Sequence, residues 1–201
     1  ERLVTPAAQR FELVRAAGDR LRRIRLLLVS AHPLANVKFG GAWVDRLISV
    51  VPRQLEQHAA DDAEALLRWP VPAFPRDVYG DDEAREILAE AGRHPYLIQA
   101  VGKEVVQRLL KERRRVATAM DVARALDAVV KGADGALFRY LWASFEVDER
   151  VVMRVLAAGG EVDLGMATVR GLREQWFVEL VDGRAALAFP LFGRWIRDYQ
   201  N

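Results

Sequence analysis

Residues 176–189 read Trp-Phe-Val-Glu-Leu-Val-Asp-Gly-Arg-Ala-Ala-Leu-Ala-Phe, two strand-like runs flanking Asp182-Gly183. An Asp-Gly pair between apolar runs is the strongest short signature of a β-hairpin, because a two-residue turn needs positive φ at its centre. Upstream, Leu137, Tyr140, Leu141 and Phe145 mark one helix, and Val151, Val152, Val155 and Leu156 mark a second within 148–158. A short extended segment, Glu161–Leu164, and a helix over about 167–175 follow, and Leu191–Tyr199 supplies a last helix. Helix, helix, short strand, helix, hairpin is the order of a winged helix-turn-helix, expected over 135–201.

Working outward, residues 61–134 carry helical starts and stops in quick succession. Asp61-Asp62 and Asp81-Asp82 are acidic first turns, Gly92 is a helix stop, and Pro95 sits where a first helical turn tolerates proline. Thr118 with Asp121 resembles a capping box, with Asp in place of Glu. Trp69-Pro70 through Tyr79-Gly80 is a proline-rich connector. The segment reads as a four-helix unit. In residues 1–60 a helix with a basic end (Arg20, Arg22, Arg23, Arg25) precedes Ile24–Ser30, an apolar run that fits a strand buried on both faces. One such strand needs neighbours, so 1–60 is expected to be the end of an α/β core completed elsewhere. The expected fold class is therefore mainly α, with a partial α/β core remnant, a helical bundle, and a winged helix-turn-helix with a β-hairpin.

Bulk properties narrow the function. The 201 residues are 51% hydrophobic and 29% charged, which specifies a folded chain. No apolar run approaches a membrane span, and a cytoplasmic location is expected. Cysteine is absent and the three histidines are scattered, which excludes disulfides, thiol nucleophiles and cysteine metal sites. Residues 1–60 hold ten Lys/Arg against five Asp/Glu, 61–134 twelve against fourteen, and 135–201 eight against nine. The hairpin region thus lacks the basic excess of a duplex-binding domain. No nucleophile or metal partner accompanies the paired carboxylates, so no self-contained catalytic constellation is read.

The stretch Ala91-Gly92-Arg93-His94-Pro95-Tyr96-Leu97-Ile98-Gln99 resembles the GG-x-P motif in the lid of the signal-transduction ATPases with numerous domains, the STAND group of the AAA+ class. Leu55–Pro70 is similar to the family's acidic helix before the lid. Arg115-Val116-Ala117-Thr118 with Asp121-Val122 resembles the opening of a later lid helix. Phe138 with Trp142, and Phe189-Pro190-Leu191-Phe192 with Trp195, resemble the region beyond the lid. The likeness covers about 24–199. It implies a division into the end of an NTPase core (1–60), a helical lid (61–134) and a winged helix (135–201).

The resemblance further implies a regulatory module that couples nucleotide state to switching or oligomerisation in signalling or bacterial defence. Gly92, Arg93, His94, Pro95 and Tyr96 would form a lid sensor. Ser30, Ala31 or His32 would stand near sensor one, and Arg46 or Arg53 would be a candidate arginine finger. ATP or ADP with magnesium would be the cofactor of a full-length parent. This chain has no G-x-x-x-x-G-K-[ST] sequence and no apolar strand ending in paired acids, so it is expected to be inactive alone. Partners would be an upstream core or effector domain, other proteins, or further copies of the chain. The alternative reading is a DNA-binding transcriptional regulator with Arg170 and Arg173 in a groove and Arg184 of the wing on the backbone. Trp142, Trp176 and Trp195 are expected to be core or interdomain aromatics, and Arg113-Arg114-Arg115 a solvated helix end.

Overall fold

The computed structural model describes residues 59–132 and 135–200, all within one compact unit that begins at Arg53. The expected core remnant over 1–60, the Ile24–Ser30 strand and the basic cluster Arg20–Arg25 lie, but for residues 59 and 60, outside the described residues. The architecture is mainly helical with one small antiparallel sheet. In chain order the elements are α1 (Ala60–Arg68), α2 (Asp81–Ala91), α3 (Pro95–Glu112), α4 (Ala119–Lys131), α5 (Ala136–Ser144), α6 (Val147–Ala157), α7 (Ala167–Glu174), β1 (Val178–Val181), β2 (Arg184–Leu187) and α8 (Pro190–Tyr199).

Local chemistry accounts for most boundaries. Asp61-Asp62 and Asp81-Asp82-Glu83 place negative charge in the first turns of α1 and α2, where the helix dipole favours it. Pro95 opens α3 and Pro190 opens α8, positions where a missing N–H costs nothing. The end of α1 is tied down by Arg68, which donates to Glu64 at 2.7 Å, to the Tyr79 carbonyl at 3.1 Å and to Asp81 at 2.7 Å. That one side chain fixes how the connector returns to start α2.

The Asp-Gly turn behaves as its sequence demands. Asp182 has φ 51° and Gly183 φ 78°, positive at both centres as a type I′ hairpin requires. Val178 pairs with Leu187, Glu179 with Ala186, Leu180 with Ala185 and Val181 with Arg184. The strands are shorter than the sequence suggests because residues 176–177 close the end of α7 and 188–189 lead into α8. The expected short strand at Glu161–Leu164 is not a strand. Its backbone is captured locally: Asp163 accepts from the Gly165 amide at 2.8 Å through its carboxylate, and its carbonyl accepts from Met166 at 3.2 Å. Such Asx-type bonds offer the chain an alternative to a ladder.

A single apolar core runs through the unit. At one end Leu67, Ile87, Leu97, Ile98, Val101 and Leu126 are buried from α1 to α4. At the other an aromatic cluster gathers Phe138, Trp142, Phe145, Phe189, Phe192 and Trp195. Helix α8 joins the two ends, packing against α2, α4 and α6 as well as β2. Tyr79 is buried with its hydroxyl donating to the Gly102 carbonyl at 3.3 Å, and burial pushes its pKa up to about 12.

The Arg113–Arg115 run is more than a solvated helix end. Arg113 adopts φ 54° and closes α3. Arg114 turns back to grip Asp121 with both terminal nitrogens, at 2.8 and 2.6 Å, and Arg115 bridges to Asp77 at 3.0 Å. Asp121 is buried, and it also accepts from the Thr118 amide at 2.9 Å, as the capping-box reading anticipates. Arg114's bonds, helped by those from Thr118, hold the Asp121 carboxyl far below the usual carboxylate range. The sign follows from the depressed folded value: this contribution to stability is full above about pH 5 and is lost as the pH falls below about 4. Melting temperatures at pH 7 and pH 3 should therefore differ more for the native chain than for Asp121→Asn, which begins less stable and has less to lose.

Candidate functional site

Two features meet at the loop between α2 and α3. The first is a close backbone approach. Gly92 ends α2 with φ 58° and ψ −151°, a region open in practice only to glycine. A Cβ placed there would stand 2.1 Å from the carbonyl oxygen of Ala188. Two residues on, the His94 ring meets Phe189 edge-on with centroids 5.4 Å apart. Its Nδ1 is buried without a hydrogen-bond partner among the described residues, and burial pushes its pKa down. From α8, Arg194 reaches Glu90 of α2 at 2.6 Å. Loop 92–94 is thus clasped to the chain that leaves the hairpin and enters α8.

The second feature is a groove of about 440 Å³ on the outer side of α7 and β1, lined by Arg93, Arg170, Arg173, Glu174, Trp176 and Glu179, with Val178 and Leu180 of β1. The guanidiniums of Arg93 and Arg173 make no hydrogen bond or ion pair among the described residues, whereas that of Arg170 donates to the Gly165 carbonyl at 2.6 Å. Trp176 is 40% exposed, which corrects the core half of the core-or-interdomain expectation for it; Trp142 and Trp195 are buried as expected. The exposure has a backbone cause. The Trp176 amide donates to the Arg173 carbonyl at 3.0 Å and the Phe177 amide to that of Leu172 at 2.9 Å, the paired bonds of a Schellman turn. Trp176 occupies its left-handed position at φ 64°, which glycine usually fills and which costs an L-residue about 1–2 kcal/mol.

The sequence candidates separate accordingly. Arg93 is exposed and shares the groove with Arg170 and Arg173, His94 belongs to the clasp, Pro95 begins α3, and Tyr96 is 45% exposed. Arg184 lies elsewhere: it bridges to Glu161 at 3.1 Å and lines a different depression with Glu90, Arg194 and Arg197. Ser30, Ala31, His32, Arg46 and Arg53 lie outside the described residues. Among the described residues there is no group of three His, Asp or Glu side chains placed to hold a metal, and no helix long and apolar enough to cross a membrane. Sequence reasoning did not find Trp176 as a groove residue; the one available signal was a bulky residue just past a helix where glycine is customary.

Comparison with protein-family models, with curated proteins and with solved structures gives no match for this chain.

Proposed function

We propose that the chain is the regulatory lid and winged-helix portion of a STAND-like AAA+ ATPase, working in the cytoplasm and turning nucleotide state at an upstream core into opening, oligomerisation or effector release. The observation that carries this reading is the clasp. The segment that resembles the family's lid motif, Gly92–His94, is the same segment that packs on Ala188 and Phe189. A lid loop that both faces nucleotide and grips the winged helix can transmit one state to the other, because moving it must break the Phe189 contact. The start of α3, opened by Pro95, is the positive end of a helix dipole, which a phosphate would favour. The chain holds no phosphate-binding loop of its own, so ATP or ADP with magnesium would be held by that upstream core, and no chemical step is assigned to residues here.

The rival reading, a duplex-binding transcriptional regulator, draws less support. It needs Arg170 and Arg173 in a groove and Arg184 on the backbone, and Arg184 is paired with Glu161 at 3.1 Å, while residues 135–201 carry eight Lys/Arg against nine Asp/Glu.

Calorimetric titration of ATP and ADP decides the matter, on this chain and on the chain joined to whatever upstream sequence its gene encodes. The expected result is no binding to the first and binding to the second, weakened by His94→Ala. Absence of binding to both, or binding indifferent to His94→Ala, sinks the proposal.

A further inference from the structure

The groove beside α7 and β1 shares only Arg93 with the segment on which that nucleotide-switch reading rests. Its chemistry is mixed: two guanidiniums without partners among the described residues, a third only partly engaged, an open indole, and the carboxylates of Glu174 and Glu179. Phosphates and a planar ring are the ligand features that such groups recognise together, since guanidinium matches phosphate oxygens and indole stacks on any base. The volume lies within the range of small-ligand pockets. Trp176 is also held open at a backbone position that disfavours it, whereas a tryptophan kept only for packing would be expected to turn inward.

We propose that this groove binds single-stranded nucleic acid, with one base stacked on Trp176 and the neighbouring phosphates on Arg93 and Arg173. A duplex fits poorly, because its base faces are covered. Its rigid backbone would also have to pass Glu174 and Glu179, and the wing arginine is paired away. A flexible strand can turn its phosphates toward the guanidiniums and keep clear of the carboxylates. Glu179 can accept a hydrogen bond from a base that carries an exocyclic amine, as cytosine and adenine do and thymine does not. Cytidine tracts should therefore bind more tightly than thymidine tracts. An acidic peptide would satisfy the arginines and leave the indole unused.

The test is fluorescence anisotropy with the full chain and labelled oligodeoxycytidine of about ten nucleotides. Expected is binding that weakens with salt at a log–log slope of roughly −1.5 to −2, as two or three phosphate contacts on a single strand predict. Duplex of equal length should bind at least about tenfold more weakly, since its bases cannot stack on the indole. Trp176→Gly should cost about tenfold or more in affinity while the melting temperature moves by no more than about 5 °C, because relief of the left-handed strain offsets part of the lost packing. Should Trp176→Gly fail to fold, Arg93→Ala with Arg173→Ala, both at the groove surface, must remove most of the binding and flatten the slope. The proposal is overturned if the single strand does not bind at low salt, if duplex binds equally well, if polyglutamate displaces the strand as effectively, or if these variants bind normally. It is overturned too if ATP or ADP alone binds and an oligonucleotide does not. Failure of the nucleotide-switch reading, judged on His94→Ala and the upstream core, leaves this result untouched.

Discussion

Gly92→Ala is expected to destabilise the unit by about 3 kcal/mol or more, the cost of an L-residue in a glycine-only backbone region together with a steric clash. The two contributions are separable. The first is the torsion, φ 58° with ψ −151°. The second is the Ala188 carbonyl oxygen, 2.1 Å from where the new Cβ must go, with the Ala188 carbonyl carbon at 3.1 Å and Phe189 Cβ at 3.3 Å. The nearest of these atoms are backbone atoms held by the hairpin and by the first turn of α8, so they cannot swing aside as the tip of a lysine could. Gly183→Ala is the natural control. Gly183 also has positive φ, 78°, but nothing lies within 4 Å of its missing Cβ, so only the torsional cost of about 1 kcal/mol applies. Urea unfolding of both variants measures the difference. Equal losses would mean that the approach to Ala188 contributes nothing, and the clasp would then lack its central contact.

Phe192→Ala should cost about 4 kcal/mol, within the usual range for deleting a buried phenylalanine. Phe192 is fully buried and its ring is the hub of the aromatic cluster: Phe138 lies at 5.4 Å, Phe189 and Trp195 at 5.8 Å and Phe145 at 6.1 Å between centroids. Four neighbours cannot all move into the space one ring leaves, so most of the cavity persists. In thermal unfolding the loss should appear as a fall of about 10 °C in Tm for a unit of this size. Tyr199→Ala, on the same helix but half exposed, should shift Tm by only a few degrees. A small shift for Phe192→Ala would show that the cluster collapses freely around the hole and that its packing is loose.

What the sequence made legible was local. Asp182-Gly183 announced the hairpin because two positive φ angles in succession are tolerable to few residue pairs. Asp81, Pro95 and Thr118 announced helix starts because the dipole and the unpaired amides of a first turn act over three or four residues. Glu161–Leu164 misled because its alternating polarity suits a strand, and the competing Asp163–Gly165 turn is settled by a single side-chain bond. Arg114 looked like any solvated arginine, since nothing in a basic triplet says which member will fold back on a buried carboxylate. The groove was invisible for a different reason. Arg93 stands more than seventy residues from Arg170 and Trp176, and no period or motif encodes that distance. The role of Gly92 was half visible: a helix stop could be read from its neighbours, but the need for a bare α-carbon comes from Ala188, on the far side of the hairpin.

Helix α8 sets an order of events during synthesis. It supplies Phe192 and Trp195 to the aromatic cluster and Arg194 to an ion pair that closes 104 residues of chain. Until residues 188–199 have left the ribosomal tunnel, Phe138 and Phe145 lack the ring of Phe192, and Gly92 lacks Ala188 and Phe189. Helices α1 to α4 can form as they emerge because their contacts are near in sequence, but the core they share with the hairpin stays open until translation has passed residue 199. The nascent unit therefore carries its stickiest surface for as long as it takes to make α5 through α8, and chaperones that hold aromatic segments would have that interval in which to bind it.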